Sequence, residues 1–216
     1  MHRKQTLSAS NTTRIMPIEL LPSLLFTMLV VGYTPGPANL YALACCLKFG
    51  RRKALVMWRG LLVGFIIAIS IMVVLTHILG ELLGQYVVYL KYIGAAYILW
   101  LAWKTLRTSL EPKTEVQTCT FTSGLLLQLT NAKMLLFELT VFSVYVIPYT
   151  TDLPESQQLL HLFLMAALLL LPGPGFNLVW LYTGAYMRRF LSRYEKQVDI
   201  TMAVLLALCA GYLMVI

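Results

Sequence analysis

Six runs of about 20 or more apolar residues, separated by short polar stretches, constrain this chain more than any other feature. They fall at roughly 18–46, 55–79, 86–106, 121–147, 158–185 and 198–216. About 20 helical residues cross a bilayer core of about 30 Å. Strands of a membrane barrel would be about 9–11 residues long and would alternate. These runs are longer and apolar all round, so they are helices that satisfy their own backbone groups in lipid. The predicted fold is therefore all-α and integral to a membrane. Composition agrees, with 59% hydrophobic and 12% charged residues against about 25% charged in a soluble domain. So little charge argues against a soluble enzyme and a disordered tail. On so apolar a chain the net charge of +8 reads as cytoplasmic membrane flanks, not as a nucleic-acid footprint.

Residues 1–15 are polar and basic and read as a leader, with Met16 an alternative start. The apolar run that follows is too long for a signal peptide and has no A-x-A-like cleavage site. Residues 16–216 then form one six-span domain. Eleven Lys and Arg residues lie in the 1–2, 3–4 and 5–6 loops, among them Arg51, Arg52, Lys53, Arg107, Arg188 and Arg189. The positive-inside rule places these loops in the cytoplasm, with both termini outside, which is the periplasmic side where the membrane is a bacterial inner one. Trp100, Trp103 and Tyr194 fall near that cytoplasmic boundary as amphipathic anchors. The halves 16–110 and 118–216 carry three spans each. An odd number per half makes the halves two inverted three-helix repeats. The first span of each half, spans 1 and 4, has a polar interruption at mid-depth. Inverted repeats with matching broken helices point to a transporter binding site.

The sharpest motif is Thr34-Pro35-Gly36-Pro37-Ala38-Asn39 in span 1. Neither proline has an N–H, so the carbonyls of Val31 and Tyr33 lose their helical donors. A second half-helix starting near Ala38 aims free N–H groups and a positive dipole end into the break. Freed carbonyls suit an ammonium and a helix N-terminus suits a carboxylate, so the pair suits a zwitterionic amino acid. A plain packing kink is the alternative, but two prolines and a glycine with Thr34 and Asn39 exceed a simple bend. Span 4 carries Gln128, Thr130, Asn131, Lys133 and Glu138. A lysine at such depth is expensive and marks function. Lys133 has three readings: it neutralises a substrate carboxylate, pairs with Glu138, or snorkels to the interface. Glu138 is a proton-coupling candidate, because burial makes an ionised carboxylate costly, or else a structural partner of Lys133. Span 5 holds Leu171-Pro172-Gly173-Pro174-Gly175-Phe176-Asn177, which should free the carbonyls of Leu168 and Leu170 as a cavity wall, a hinge or a simple kink. His77 and Glu81 end span 2 on the outer side as a solvated rim or an outer gate.

Cys45, Cys46, Cys119 and Cys209 show neither a CxxC nor a Cys/His metal spacing, so no metal or cofactor is expected. An intramembrane thiol–disulfide carrier would need a cysteine at each mid-membrane break, and residues 34–39 and 128–133 have none. An exporter or channel for a metal or small cation would need buried carboxylate or His clusters. Only Glu138 sits well inside a span.

The TPGPAN stretch followed by Phe49-Gly50-Arg51-Arg52-Lys53-Ala54-Leu55 resembles the LysE/RhtB amino-acid exporter family. So do Gly94-Ala95-Ala96-Tyr97 leading to Leu101-Ala102-Trp103-Lys104, Phe121 to Gly124, and Gln128 to Lys133. The stretch from Asn131 to Pro148 and the tail Tyr194 to Cys209 are most similar to the cysteine/O-acetylserine exporter subgroup. The resemblance implies a carrier, not an enzyme, that exports a small amino acid or derivative in exchange for protons, without a cofactor and with room for a homodimer. Carried over by motif, the substrate-binding residues are Thr34, Pro35, Gly36, Pro37 and Asn39, with Asn131 and Lys133 in the second half. The family's Asn-Pro-Lys reads Asn-Ala-Lys here, which leaves span 4 without a proline to break it.

Overall fold

The computed structural model describes residues 20–83, 88–107, 116–150 and 153–215. The 1–15 leader, Met16, most of the 107–120 loop and the side chains of Glu81, Arg188 and Arg189 lie outside the described residues. Regular structure among the described residues is helical: α1 (Leu21–Tyr33), α2 (Pro37–Leu83), α3 (Val88–Arg107), α4 (Phe121–Leu129), α5 (Ala132–Tyr145), α6 (Ile147–Thr150), α7 (Glu155–Leu170), α8 (Pro172–Tyr182) and α9 (Gly184–Val215). Within the described residues, the apolar runs of the sequence lie largely on these helices. By length and composition, Pro37–Ile78, Ala132–Thr150 and Glu155–Tyr182 can each cross a membrane, and Leu21–Tyr33 is a shorter apolar helix.

The polar 49–53 stretch is shorter in space than a loop. The chain turns at Gly50 alone, with φ 81° and ψ 164°, a left-handed conformation that favours glycine. α9 bends at Tyr194, where φ is −122° and ψ is 26°. Trp100 and Trp103 stand exposed near the end of α3, with the Lys104 ammonium and the Arg107 guanidinium over their rings at 4.9 and 4.6 Å.

In lipid, helices associate by close packing and not by hiding apolar surface. The α2–α4 contact shows this directly. Gly60 and Gly64 of α2 meet Phe121, Leu125 and Gln128 of α4, and Gly124 of α4 meets the Met57 carbonyl. A Cβ at Gly60 or Gly124 would overlap the facing backbone, so these small residues set the helix separation. α3 packs along α9, and α8 along α2, where the Trp58 indole N–H donates to the Pro174 carbonyl at 2.9 Å. Facing outward, Ile71, Val74, Phe163, Leu164 and Leu171 are all more than half exposed. Large apolar side chains on an outer surface suit lipid contact.

Candidate functional site

Span 1 breaks where its prolines demand. α1 ends at Tyr33, and Thr34 is extended at φ −58° and ψ 131°, as a residue before proline prefers. α2 restarts at Pro37, a first-turn position that needs no N–H. The carbonyls that turn into the protein and find side-chain donors are those of Gly32 and Thr34, not the expected Val31 and Tyr33. The Asn39 amide donates to Gly32 O at 2.9 Å and to Thr34 O at 3.2 Å. Lys133 Nζ reaches across from α5 and donates to Thr34 O at 2.7 Å. The Thr34 hydroxyl turns back to Val30 O and also faces Met202 Sδ at 3.7 Å.

Span 4 also breaks, without a proline. Thr130 (φ −101°, ψ 3°) and Asn131 (φ −77°, ψ 87°) interrupt the helix between Leu129 and Ala132. Local bonds keep this break tight: Thr130 N–H donates to Leu126 O at 3.0 Å, and Asn131 N–H to Gln128 O at 3.1 Å. α5 then begins with its N-terminus beside that of α2. Residues from both first turns, Ala38, Asn39, Lys133 and Met134, line one cavity with Gly32, Gly36, Asn131, Gly173 and Asn177. It measures about 20 Å³, room for about one water molecule. An amino acid enters only if the helices move.

Thr34, Asn39, Asn131, Lys133 and Glu138 are all buried. The lysine lies across Gly36, where a Cβ would come within 2.9 Å of Lys133 Cδ and 3.1 Å of Nζ. Lys133 therefore does not snorkel. It does not pair with Glu138 either: both Glu138 oxygens are buried without a hydrogen-bond partner. Five residues apart on a helix puts the two side chains about 140° from each other. The only described partner of the Lys133 ammonium is a neutral carbonyl. A buried cation with no carboxylate beside it is costly, and the N-termini of two helices add positive potential.

The Pro172-Gly173-Pro174 run fits two of the readings the sequence offered, a kink and a cavity wall lined by Gly173. Leu171 keeps helical angles, φ −72° and ψ −58°, so span 5 bends without opening like span 1. A residue that the sequence reading left out of the site comes from this run: Asn177 Nδ2 donates to Asn39 Oδ1 at 2.6 Å. Its signal was the asparagine that follows a Pro-Gly-Pro in both spans. His77, which the sequence groups with Glu81, instead faces Glu155 of α7 at 3.9 Å. The four cysteines are free.

Comparison with known proteins decides the family. The LysE type translocator family matches residues 29–216. The chain belongs to this family. A cysteine/O-acetylserine efflux protein of Klebsiella pneumoniae is 35% identical over 194 residues, covering 88% of this chain and 95% of that protein. A cysteine/O-acetylserine efflux protein of Escherichia coli strain K12 is 31% identical over 183 residues, covering 84% and 91%. No solved structure matches. The family expected from TPGPAN and its companion motifs is thus confirmed, and with it the placement of this apolar translocator in a membrane.

Proposed function

We propose that this translocator exports a small amino acid of the cysteine or O-acetylserine type across a bacterial inner membrane by proton antiport. The observation that carries the reading is Lys133, a buried amine whose only described partner is a carbonyl, at a cavity walled by two helix N-termini. The substrate carboxylate supplies the missing anion. It docks against Lys133 Nζ and the first turns of α2 and α5, between the span-1 and span-4 breaks. Thr34, Pro35, Gly36, Pro37, Asn39, Asn131 and Lys133 make this site. The chain works as six spans in two inverted three-helix halves. Rocking of one half against the other opens the closed cavity to each side in turn. The two breaks facing one cavity support that arrangement.

Glu138 is the proton carrier in this reading. It is fully buried on α5, five residues from the substrate lysine, with both oxygens unbonded. An ionised carboxylate in that position is strongly disfavoured, so the residue holds a proton until the site opens to water.

Inverted vesicles energised by a pH gradient and offered cysteine, O-acetylserine, homoserine, threonine, leucine and lysine test the substrate class. Uptake of cysteine or O-acetylserine is expected to exceed that of lysine. Uptake of none of the amino acids, or no response to collapse of the gradient, would overturn the reading. Glu138→Gln is expected to leave exchange of substrate across the membrane intact while abolishing the response to the gradient.

A further inference from the structure

Asn39 and Asn177 form a chain of hydrogen bonds whose direction is fixed. The carbonyls of Gly32 and Thr34 can only accept, so the Asn39 amide nitrogen must face them. Asn39 Oδ1 therefore faces α8, and it can only accept. Asn177 must then present its own amide nitrogen to Asn39, as it does at 2.6 Å. One consequence concerns the other end of Asn177. Its Oδ1 is left as an acceptor, with no hydrogen bond among the described residues, on a side chain that lines the cavity. Asn131 lines the same cavity, is 4% exposed, and has its Oδ1 buried without a partner.

Val31 and Tyr33, whose carbonyls were expected to hold an ammonium, do not line this cavity, and the carbonyls of Gly32 and Thr34 are already occupied by Asn39 and Lys133. Two side-chain acceptors left over among the described residues of the cavity are the asparagine oxygens. We infer that Asn177 and Asn131 form the ammonium subsite of the transported amino acid, opposite the carboxylate subsite at Lys133, and that Asn177 also positions the Asn39 amide. The inference rests on the proposed amino-acid reading. It assigns each pole of the substrate to a different wall: the carboxylate to the two helix N-termini, the ammonium to carbonyl oxygens from α8 and the span-4 break. A monocarboxylate lacking the amine would meet the first wall and leave both asparagine oxygens unpaired.

The test is competition against radiolabelled cysteine uptake in inverted vesicles carrying the full chain. One competitor is 3-mercaptopropionate, which lacks the ammonium. The other is cysteine methyl ester, which lacks the carboxylate. Asn177→Ala is expected to raise the KM for cysteine and the inhibition constant of the ester by about tenfold or more, the loss of a hydrogen bond to a charged group. The constant for 3-mercaptopropionate should stay within about twofold. Lys133→Gln should do the reverse to the two analogues. The subsite is wrong if Asn177→Ala shifts all the constants together or leaves cysteine and its ester unmoved. The carboxylate reading fails separately if Lys133→Gln leaves 3-mercaptopropionate unaffected. Asn177→Asp keeps an acceptor and adds charge, loses the donor to Asn39 Oδ1 as alanine does, and serves if the alanine variant fails to insert. It is expected to tighten the ester and weaken 3-mercaptopropionate, and equal effects on both would overturn the assignment.

Discussion

The chain contains Pro-Gly-Pro twice, at 35–37 and at 172–174, and the two copies do different things. Before the first, Thr34 is extended and the helix opens. Before the second, Leu171 stays helical and the helix only bends. Two prolines and a glycine are therefore not sufficient to open a helix. What differs is the set of donors waiting for the released carbonyls. Asn39 stands two residues after Pro37, and Asn177 three residues after Pro174. One residue is about 100° of helix rotation. Asn39 consequently turns back onto α1, while Asn177 turns to Asn39 itself. Among the described residues, no lysine reaches across to the second run as Lys133 does to Thr34. An opened turn in a bilayer persists only where protein or water satisfies its backbone; the first run has Asn39 and Lys133 on the Gly32 and Thr34 carbonyls, whereas the donor at the second is the Trp58 indole on Pro174 O.

The largest expected effect follows from that contrast. Asn39→Leu removes two donors from the break and leaves two buried carbonyls short of partners. Two lost hydrogen bonds amount to about 2–3 kcal/mol, or about 100-fold in transport. The Pro35→Ala/Pro37→Ala pair should likewise abolish export by letting α1 run on into α2. Pro172→Ala/Pro174→Ala should keep at least about half of wild-type uptake, since the backbone there is already helical. Equal losses from the two proline pairs, in protein that inserts normally, would erase the distinction between the runs.

The glycines sharpen it further. Gly36→Ala would place a methyl 2.9 Å from Lys133 Cδ. The lysine is held at its tip by Thr34 O, so the substitution should dislodge the ammonium and cut transport by about tenfold with insertion unaffected. At the matching position, Gly173→Ala would meet the Phe65 ring at 2.6 Å. That overpacking should lower stability by about 1–3 kcal/mol. Transport per folded molecule should then fall less than in Gly36→Ala. Thermal unfolding and vesicle uptake measured on both variants separate the two outcomes.

How much of this could be read from the chain depends on how local each signal is. The opening after Tyr33 was legible because proline geometry acts within one turn. The buried placement of Lys133 was legible as a choice among three readings, and its spacing from Glu138 already disfavoured a pair. The span-4 break was expected from its polar residues even though Ala132 replaces a proline, and Thr130 and Asn131 supply it. Two things were hidden. The partners of Asn39 depend on which helix lies 138 positions further along the chain, and no local pattern encodes that. The helical Leu171 depends on which donors the neighbouring helices bring to the run, here the Trp58 indole on Pro174 O, and local sequence does not display that.

The smallest effect is the one that asks whether the second run moves. Gly175 sits inside α8, and a Cβ there would meet nothing within 4 Å. Its φ is not in the left-handed region, so alanine suits the backbone as it stands. If the run is a fixed kink, Gly175→Ala should stabilise the protein by about 0.5–1 kcal/mol through helix propensity and a less flexible unfolded chain. That corresponds to a rise in Tm of about 1–4 °C for a chain of this size. Transport should be unchanged. If the run is a hinge that flexes during the cycle, the same alanine should raise Tm yet slow turnover, because it removes conformations that the open states require. A stabilised but slower carrier would make the two Pro-Gly-Pro runs partners in the motion. A stabilised carrier of normal rate would leave span 1 as the element that opens and span 5 as the wall that holds Asn177 against it.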